Sequence, residues 1–413
     1  MSGEHCGVDR HLPLRGLRVV NFGWVWAGPV VGQTLGFLGA EVLKVESAAR
    51  IDMTRNLPPF AEGRPGHDRS LSNHACWAGN GSVTLNLKKP EALELALRLI
   101  ARADVVVENF GPGAMQRMGL GYETLRAQRA DIILCSMPAA GLSGPLEHVR
   151  TYGLSLTSLT GLDSMVGYKG GDPIPMENAF SDPFVGIFGA FAILAALNHR
   201  RNTSEGQHID FSQQEAVMQM VGPAYMDYVM NGRSSGPKSN EHPLGAAAPH
   251  SVFPCRGEDR WISIAVATEA EWQALLRALG HPEWLKVEEF STLEQRLRHI
   301  DALHALLGEW TRQHDDRELA GHLQSHGVAA APVLNVGDLL DDPHFTARQT
   351  FVEVEHPLGF RETIYGAYVK LSRSRVEVRP GPVLGQDNDY VFRDLLGLSE
   401  ARYRELIDQQ VIY

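Results

Sequence analysis

The sequence predicts an α/β fold, with a large unit built on a mostly parallel sheet and a smaller α+β unit after it. Three observations predict this. Strand-like apolar runs alternate with helical patterns of roughly ten residues between Leu17 and Ser136, the mark of βαβ units. An uncharged apolar run follows Pro183 and is long enough for a buried helix. A stretch rich in Gly, Pro, Ser and Ala, from Asn231 to His250, then sets a second group of strands and helices apart from the first.

Leu17–Phe22 reads as the first strand, Pro29–Leu38 as a helix closed near Gly39, and Glu41–Glu46 as the second strand. Ile51–Ala78 holds Pro58, Pro59, Pro65 and several glycines, which interrupt any periodicity, so it reads as mostly loop. Ser82–Leu87 alternates like an edge or half-buried strand. Pro90 suits a first helical position and opens a helix to about Ala101, followed by the strand Asp104–Glu108. Short helical stretches near Gly113–Met118 and Tyr122–Gln128 precede the strand Asp131–Ser136. After the long apolar helix, Asn198–Gly206 reads as a polar turn, Gln207–Phe211 as a short strand and Glu215–Met230 as helix. The smaller unit takes Trp261–Val266 and Val328–Leu334 as strands, with helical patterns at Glu269–Leu279, Arg296–His314 and Arg317–Ser325; Asp338–Asp342 starts the final stretch. Ligands of parallel sheets gather beyond the carboxyl ends of the strands. That rule directs attention to Trp24–Pro29, to Ser47 and to Asn109–Phe110.

Composition narrows the function classes. A chain of 413 residues can bury more than one core, and 44% hydrophobic content is that of a soluble enzyme. A net charge of −11 argues against general nucleic-acid binding, yet it permits a phosphorylated ligand held by a few local cations. Cys6, Cys76, Cys135 and Cys255 are widely spaced, which points to a reducing compartment rather than a disulfide scaffold or zinc site. The first residues are polar, without the pattern of a secretory leader, and Gly186 and Gly189 interrupt the apolar run; the expectation is a cytoplasmic protein with no membrane partner. Dinucleotide, Walker, nucleophile-elbow and HExxH motifs are absent, and the 17 histidines show no metal-ligand spacing, so no metal is expected.

One carboxylate stands out. Asp182 lies at the mouth of the apolar helix, just before Pro183. Ser181 or Asp182 suits an N-cap, with Pro183 as the first helical residue. The helix macrodipole favours an ionised carboxylate there. The plain reading is a cap on a core helix; the functional one is a partly desolvated nucleophile able to attack a carbonyl carbon. Trp24 and Trp26 read as pocket wall or core, and could suit an aromatic or thioester ligand. Lys44, Arg64, Arg69 and Arg117 read as solvated charges, with anion binding as the alternative.

Four blocks in order resemble the family III coenzyme A transferases, the formyl-CoA and carnitine CoA-transferase group. The first runs from Leu14–Val20 through Ala27-Gly28-Pro29 to Leu38–Glu46. The second is Ala103–Gly113 through Arg117–Leu120. The third is Asp182 with its helix and Gly206–Asp210; the fourth comprises Gly327–Pro332, Asp342-Pro343 and Gly381–Gln386. The resemblance implies a Rossmann-like large domain from both chain ends, 1–225 and 331–413, around a linker and small domain at 226–330. Two such chains interlock in this family, and some relatives pair homologous but different subunits, so a homodimer or a hetero-oligomer with a homologous subunit is expected.

The same resemblance implies that Asp182 attacks an acyl-CoA thioester, passing through an aspartyl anhydride and an aspartyl-CoA thioester, with coenzyme A thioesters as substrates and no prosthetic group. Asn109, Phe110 and Arg117 match residues near the CoA nucleotide; Val25, Ala27 and Gly28 match the pantetheine pocket. Trp26 stands where formyl-CoA transferase has glutamine, so the acyl site should differ. Ser47, Gly81 and Pro138 replace basic residues of that enzyme, and Gly245–Pro249 stands for its glycine loop. Tyr152 stands near the histidine base of the related α-methylacyl-CoA racemases, which favours transferase over racemase. A non-catalytic CoA-binding subunit is the other alternative, against which the retained Asp182 speaks. Trp24, Trp26 and the apolar stretch near Met137 suggest a roomy acyl site. Tyr225–Gly232 and Ala248–His250 look like members acting on aromatic or branched dicarboxylic acids. The expected donor is succinyl-CoA and the expected acceptor an arylsuccinate such as (R)-benzylsuccinate, with carnitine-like, malate-type or phenyllactate-type acids as the alternatives.

Overall fold

Valine- and isoleucine-rich segments build the centre of the large unit. The computed structural model describes residues 11–176, 179–234 and 236–413. In chain order, β1 (Arg18–Asn21), α1 (Ala27–Phe37), β2 (Glu41–Glu46), α2 (Leu71–Trp77), β3 (Gly81–Thr84), α3 (Pro90–Ile100) and β4 (Val105–Glu108) come first. Next come α4 (Ala114–Arg117), α5 (Tyr122–Gln128), β5 (Ile133–Ser136), α6 (Gly153–Leu159), α7 (Ser181–Thr203), β6 (His208–Asp210), α8 (Gln213–Met218) and α9 (Gly222–Asn231). The chain continues with β7 (His250–Pro254), β8 (Trp261–Ala265), α10 (Glu269–Ala278), α11 (Leu293–Arg298), α12 (Ile300–Thr311), α13 (Asp316–Ser325) and β9 (Ala329–Pro332). It ends with α14 (Val336–Asp341), α15 (Pro343–Ala347), β10 (Phe351–Glu355), β11 (Arg361–Tyr365), a π-helical turn at Asp389–Leu395 and α16 (Glu400–Asp408).

Two compact units emerge, one comprising residues up to Gly161, Met176–Gly222 and His344–Tyr413, the other Leu162–Pro175 and Pro223–Pro343. In the first, six parallel strands run in the order β3-β2-β1-β4-β5-β6. This is the doubly wound order, with its switch point between β1 and β4, where ligand crevices form. β4 and β5 are buried at every position, as strands covered on both faces must be. The second unit pairs β7, β8 and β9 antiparallel over a core that includes Phe253, Ile262, Trp272, Leu303 and Leu323.

The structure departs from the expected elements where distant partners intervene. Ile51–Ala78 is not mostly loop: Ser70 caps α2 by accepting from the Asn73 N–H. The helix after Asp182 runs six residues past Leu197, through Asn198–Thr203, because Arg200 reaches Asp104 at 3.0 Å and Asp131 at 3.5 Å. Glu215–Met230 is split between α8 and α9, where Pro223 lacks a donor for a continuous helix. The segment expected at Arg296–His314 begins at Leu293 and breaks at His299. Strand β7 starts inside the expected linker, at His250.

Helix α7 is long and apolar enough to cross a membrane by length and composition. Its buried stripe of Val185, Gly186, Gly189, Ala190, Ile193 and Ala196 is that of a core helix. A Cβ on Gly186 would lie 2.7 Å from Val30 Cβ, and one on Gly189 would lie 2.8 Å from Met137, so these glycines set how closely α7 packs on α1 and β5. Met137 itself is wholly buried under α7, in the core rather than in an acyl pocket.

The edge strand β3 is protected by side chains rather than by another strand. The Ser82 N–H donates to Asp387 Oδ2 (2.7 Å) and the Thr84 N–H to Asn388 Oδ1 (2.9 Å). The Asp387 N–H returns a bond to the Ser82 carbonyl at 2.9 Å. Such a mimic leaves few edge groups for another chain to pair with.

At the carboxyl end of β2 lies a buried charge network. Lys44, expected to be a solvated charge, is buried, with its Nζ 3.0 Å from both Glu46 and Asp52 and 3.7 Å above the Trp77 ring. Arg55 grips Glu46 bidentately at 2.7 and 2.8 Å, meets Asp68 at 2.7 Å and donates to the Pro382 carbonyl. Burial alone would raise the Glu46 pKa; Lys44, Arg55 and the Ser82 hydroxyl outweigh it and hold it at about 2. A carboxyl lowered from 4.5 adds stability in full above the unfolded value, and that contribution is lost as pH falls through 2. Glu46→Gln should therefore cost about 3–5 kcal/mol at pH 7, since it leaves buried cations uncompensated. Urea unfolding of both proteins checks this, and the gap should close as pH falls from 4.5 towards 2.

Candidate active site

The carboxyl ends of all six parallel strands open on one cavity of about 640 Å³. β1 supplies Trp24–Ala27, β2 supplies Ser47 and Arg50, β3 supplies Leu85–Lys88, and β4 supplies Asn109–Gly111. Ala139 follows β5, Gln213 follows β6, and Asp182 enters from α7. Tyr152, at the start of α6, is also on the wall.

Asp182 does not cap its helix. Phe180 occupies the cap position without a side-chain bond, and Ser181 is already helical, its hydroxyl donating to the Gly153 carbonyl at 3.2 Å. Helix α7 therefore starts one residue earlier than a cap at Ser181 would require, and two earlier than a cap at Asp182. Among the described residues, no hydrogen bond or ion pair engages the Asp182 carboxylate. The side chain is 9% exposed, and burial pushes its pKa up from 3.8 to about 6. Desolvation thus outweighs the stabilisation expected of a helix N-terminus, yet the group stays mainly ionised at pH 7. The result is a weakly solvated carboxylate facing a cavity, the condition in which its oxygen is most nucleophilic.

The β1–α1 connection is held rigidly. Val25 has φ +63°, a left-handed conformation costly for a β-branched residue, and its N–H donates to Asp52 Oδ2 at 3.3 Å. Asn109 clamps the neighbouring Trp24 from both sides, accepting from its N–H at 2.8 Å and donating to its carbonyl at 2.9 Å. Asn109 is thus a fastener of the wall as well as part of it.

Val25, Trp26, Ala27, Asn109, Phe110 and Asp182 come together on this cavity. Gly28 and Arg117 are not among its lining residues. A Cβ on Gly28 would meet Gly23 Cα at 2.6 Å, and the Gly28 carbonyl accepts from Asn21, so Gly28 permits backbone packing beneath the wall. Arg117 turns back to the Pro112 carbonyl at 3.4 Å, while Ala114 and Met118 beside it face the cavity. Of the three departures from the family pattern, Ser47 lines the cavity; Gly81 lies against Asp387, which leaves no room for a side chain. Pro138 is not among the lining residues; its carbonyl accepts from the Gln213 N–H. Gly245–Pro249 belongs to the second unit, where the Ala248 N–H binds the Val266 carbonyl and Arg296 binds the Ala248 carbonyl. Arg50, Lys88 and Arg150 also line the cavity and were missed, because isolated cations in loops carry no periodic signal.

His74, His356 and Glu362 form a buried cluster of metal-ligand types. The His74 nitrogens face Glu362 at 2.6 Å and the Asp68 carbonyl at 3.1 Å. The Leu358 N–H donates to His356 Nδ1, which puts the proton of a neutral ring on Nε2, where a metal would have to bind. His356 Nε2 and Glu362 Oε1 are buried without a hydrogen-bond partner among the described residues. The described cysteines Cys76, Cys135 and Cys255 are free and buried; Cys6 lies outside the described residues.

A carboxyl raised from 3.8 to about 6 favours the fold fully below its unfolded value, and that preference is lost as pH rises through 6. Ionised Asp182 is therefore a burden on stability at neutral pH. Asp182→Asn should melt at the same or a higher temperature than wild type at pH 7.5, with the difference vanishing below pH 4; a lower melting temperature at pH 7.5 would contradict the geometry.

Comparison with known proteins adds independent findings. A sequence model described as CoA-transferase family III matches residues 14–388. A succinate–glutarate CoA-transferase of Agrobacterium fabrum is 32% identical, over 94% of this chain and 96% of its own length. The alpha subunit of a succinyl-CoA–L-malate CoA-transferase of Chloroflexus aurantiacus is 30% identical over 100% of this chain and 95% of its own; the beta subunit is 30% identical over 98% and 100%. Among solved structures, a CAIB/BAIF family protein from Brucella suis superposes with a TM-score of 0.84 at 32% identity, covering 94% of this chain and 100% of that one.

Proposed function

The chain belongs to CoA-transferase family III, and from that premise we propose that it moves coenzyme A from succinyl-CoA to a dicarboxylic acid through covalent chemistry at Asp182. The observation that carries this reading is the buried Asp182 carboxylate, without a partner among the described residues, on the wall of a 640 Å³ cavity.

The steps balance. An Asp182 oxygen attacks the thioester carbonyl, the C–S bond breaks, and coenzyme A leaves as a thiolate with an aspartyl–succinyl anhydride behind it. The thiolate attacks the aspartyl carbonyl, expelling succinate and forming an aspartyl-CoA thioester. The acceptor carboxylate then displaces the thiolate from the aspartyl carbonyl, giving a second anhydride. Attack of the thiolate on the acceptor's carbonyl releases the new thioester and restores Asp182. Each step exchanges one good leaving group for another, so the enzyme's task is to hold the partners and exclude water.

The names of the similar enzymes support a short dicarboxylic donor. Trp24 and Trp26 on the wall support an acceptor with an aromatic or branched substituent, for which an arylsuccinate such as (R)-benzylsuccinate is the candidate. Val25, Trp26 and Ala27 would surround the pantetheine end, with Gly28 packing beneath them, and Asn109 and Phe110 would lie near the nucleotide. Exposed Ile187, Phe188 and Phe191 on α7, and exposed Tyr228, Val229 and Met230 on α9, support an oligomer, either a homodimer or a pair with a homologous subunit. A cytoplasmic location fits the free buried cysteines.

Incubation with succinyl-CoA and trapping with hydroxylamine, read by intact-protein and peptide mass spectrometry, tests the reading. An adduct or hydroxamate should map to Asp182 and be absent in Asp182→Ala, whose turnover should fall about a thousandfold or more. The rate of adduct formation should decline as pH drops through about 6, as the nucleophile protonates. No adduct with any acyl-CoA would overturn the reading and favour a silent subunit or a racemase; an adduct with another acyl-CoA would change only the donor.

A further inference from the structure

We infer that Arg50, laid on the Trp24 ring at the cavity wall, binds a phosphate group of the coenzyme A nucleotide. This rests on reading the cavity as the CoA site. At the carboxyl end of β2 the wall carries Ser47, which brings no charge, so Arg50 is the cation that this strand end offers the cavity.

Five observations converge on Arg50. It lines the same cavity as Asp182. Its guanidinium lies 4.7 Å from the Trp24 ring centroid. The Trp24 backbone is held by the two Asn109 bonds, so the indole that the arginine covers projects from an anchored point of the wall. Among the described residues, no carboxylate pairs with Arg50, whereas Arg55, five residues on, is saturated by Glu46 and Asp68. A short turn, the Arg50 N–H donating to the Ser47 carbonyl at 3.2 Å, keeps Arg50 close to the carboxyl end of β2.

The chemistry follows from the stacking. A guanidinium held over an indole by attraction to the ring, at 4.7 Å from its centroid, spends none of its N–H donors on a carboxylate, and those donors match two oxygens of a phosphate. The indole pre-orders a side chain that would otherwise lose rotamer freedom on binding. Lys88 and Arg150 share the cavity wall, but neither is seated on an aromatic ring among the described residues. In a chain of net charge −11, a polyanionic ligand needs such a fixed local cation.

The experiment compares Arg50→Ala with wild type on three donors: succinyl-CoA, its dephospho analogue without the 3′-phosphate, and succinyl-pantetheine without the nucleotide. The readout is the second-order rate of Asp182 adduct formation, with thermal melts to confirm folding. Arg50→Ala should lose about tenfold or more with succinyl-CoA, and the preference of the enzyme for succinyl-CoA over succinyl-pantetheine should shrink by the same factor. A loss that persists with the dephospho analogue assigns the contact to the diphosphate; a loss that disappears assigns it to the 3′-phosphate. An equal loss with succinyl-pantetheine, or none with succinyl-CoA, overturns the inference, since Arg50 would then shape only the Trp24 wall or do nothing. If wild type forms no adduct with any of the three, the reading of the cavity fails first and the inference falls with it.

Discussion

The architecture of the large unit hangs on a charge network buried at Lys44, Glu46, Asp52 and Arg55 and open to water only at Asp68. Two cations, Lys44 and Arg55, are shared among the carboxylates of Glu46, Asp52 and Asp68 at the carboxyl end of β2. Such a group is costly to bury and tolerable only when every partner is in place. Its value here is positional. Asp52 accepts the N–H of strained Val25, Arg55 ties down the carbonyl of Pro382, and Ser82 of the edge strand binds Glu46 at 2.6 Å. One cluster thus registers β2, β3, the β1–α1 connection and a segment more than three hundred residues away in sequence.

That registration explains how a reactive carboxylate can be kept in a cavity. Asp182 receives no bond that would blunt it, and its orientation comes from the backbone of α7. The helix is fixed by Ser181 at one end, by glycine contacts with α1 along its length and by Arg200 at the other end. Burial raises the pKa without taking it beyond neutrality, a compromise between nucleophilic strength and the fraction ionised. Another part of the wall is held for a different reason: Asn109 satisfies both backbone groups of Trp24, which anchors the chain where the indole beneath Arg50 projects.

What could be read in the sequence divides along the range of the interactions. Glu41–Glu46 and Tyr122–Gln128 match their expected bounds, because local pattern alone decides them. The rule that parallel sheets bind at strand ends points to Trp24–Pro29, Ser47 and Asn109–Phe110, and of these all but Gly28 and Pro29 line the cavity. Local pattern failed where remote groups take over: Asn198–Thr203 stays helical through Arg200, and Asp182 loses its cap because Ser181 prefers Gly153. Met137 went to the core and Lys44 into the charge network for the same reason, since neither burial nor ion pairing is written in a window of ten residues. Hairpin β10–β11 and the turns after it carried no expectation at all.

The covering of β3 by Asp387 and Asn388 has a consequence for biosynthesis. Ser82 and Asp387 are 305 positions apart, so on the ribosome the strand emerges long before the groups that shield it. At about 5–20 residues per second, the interval is about 15 to 60 seconds. Throughout it, the nascent sheet presents bare backbone donors on β3, and the residues that lead from it into the cavity, Leu85 to Lys88, lack their final support. A chain interrupted in that window would be a sticky intermediate rather than a slow enzyme, and the cell would meet it as a client for chaperones.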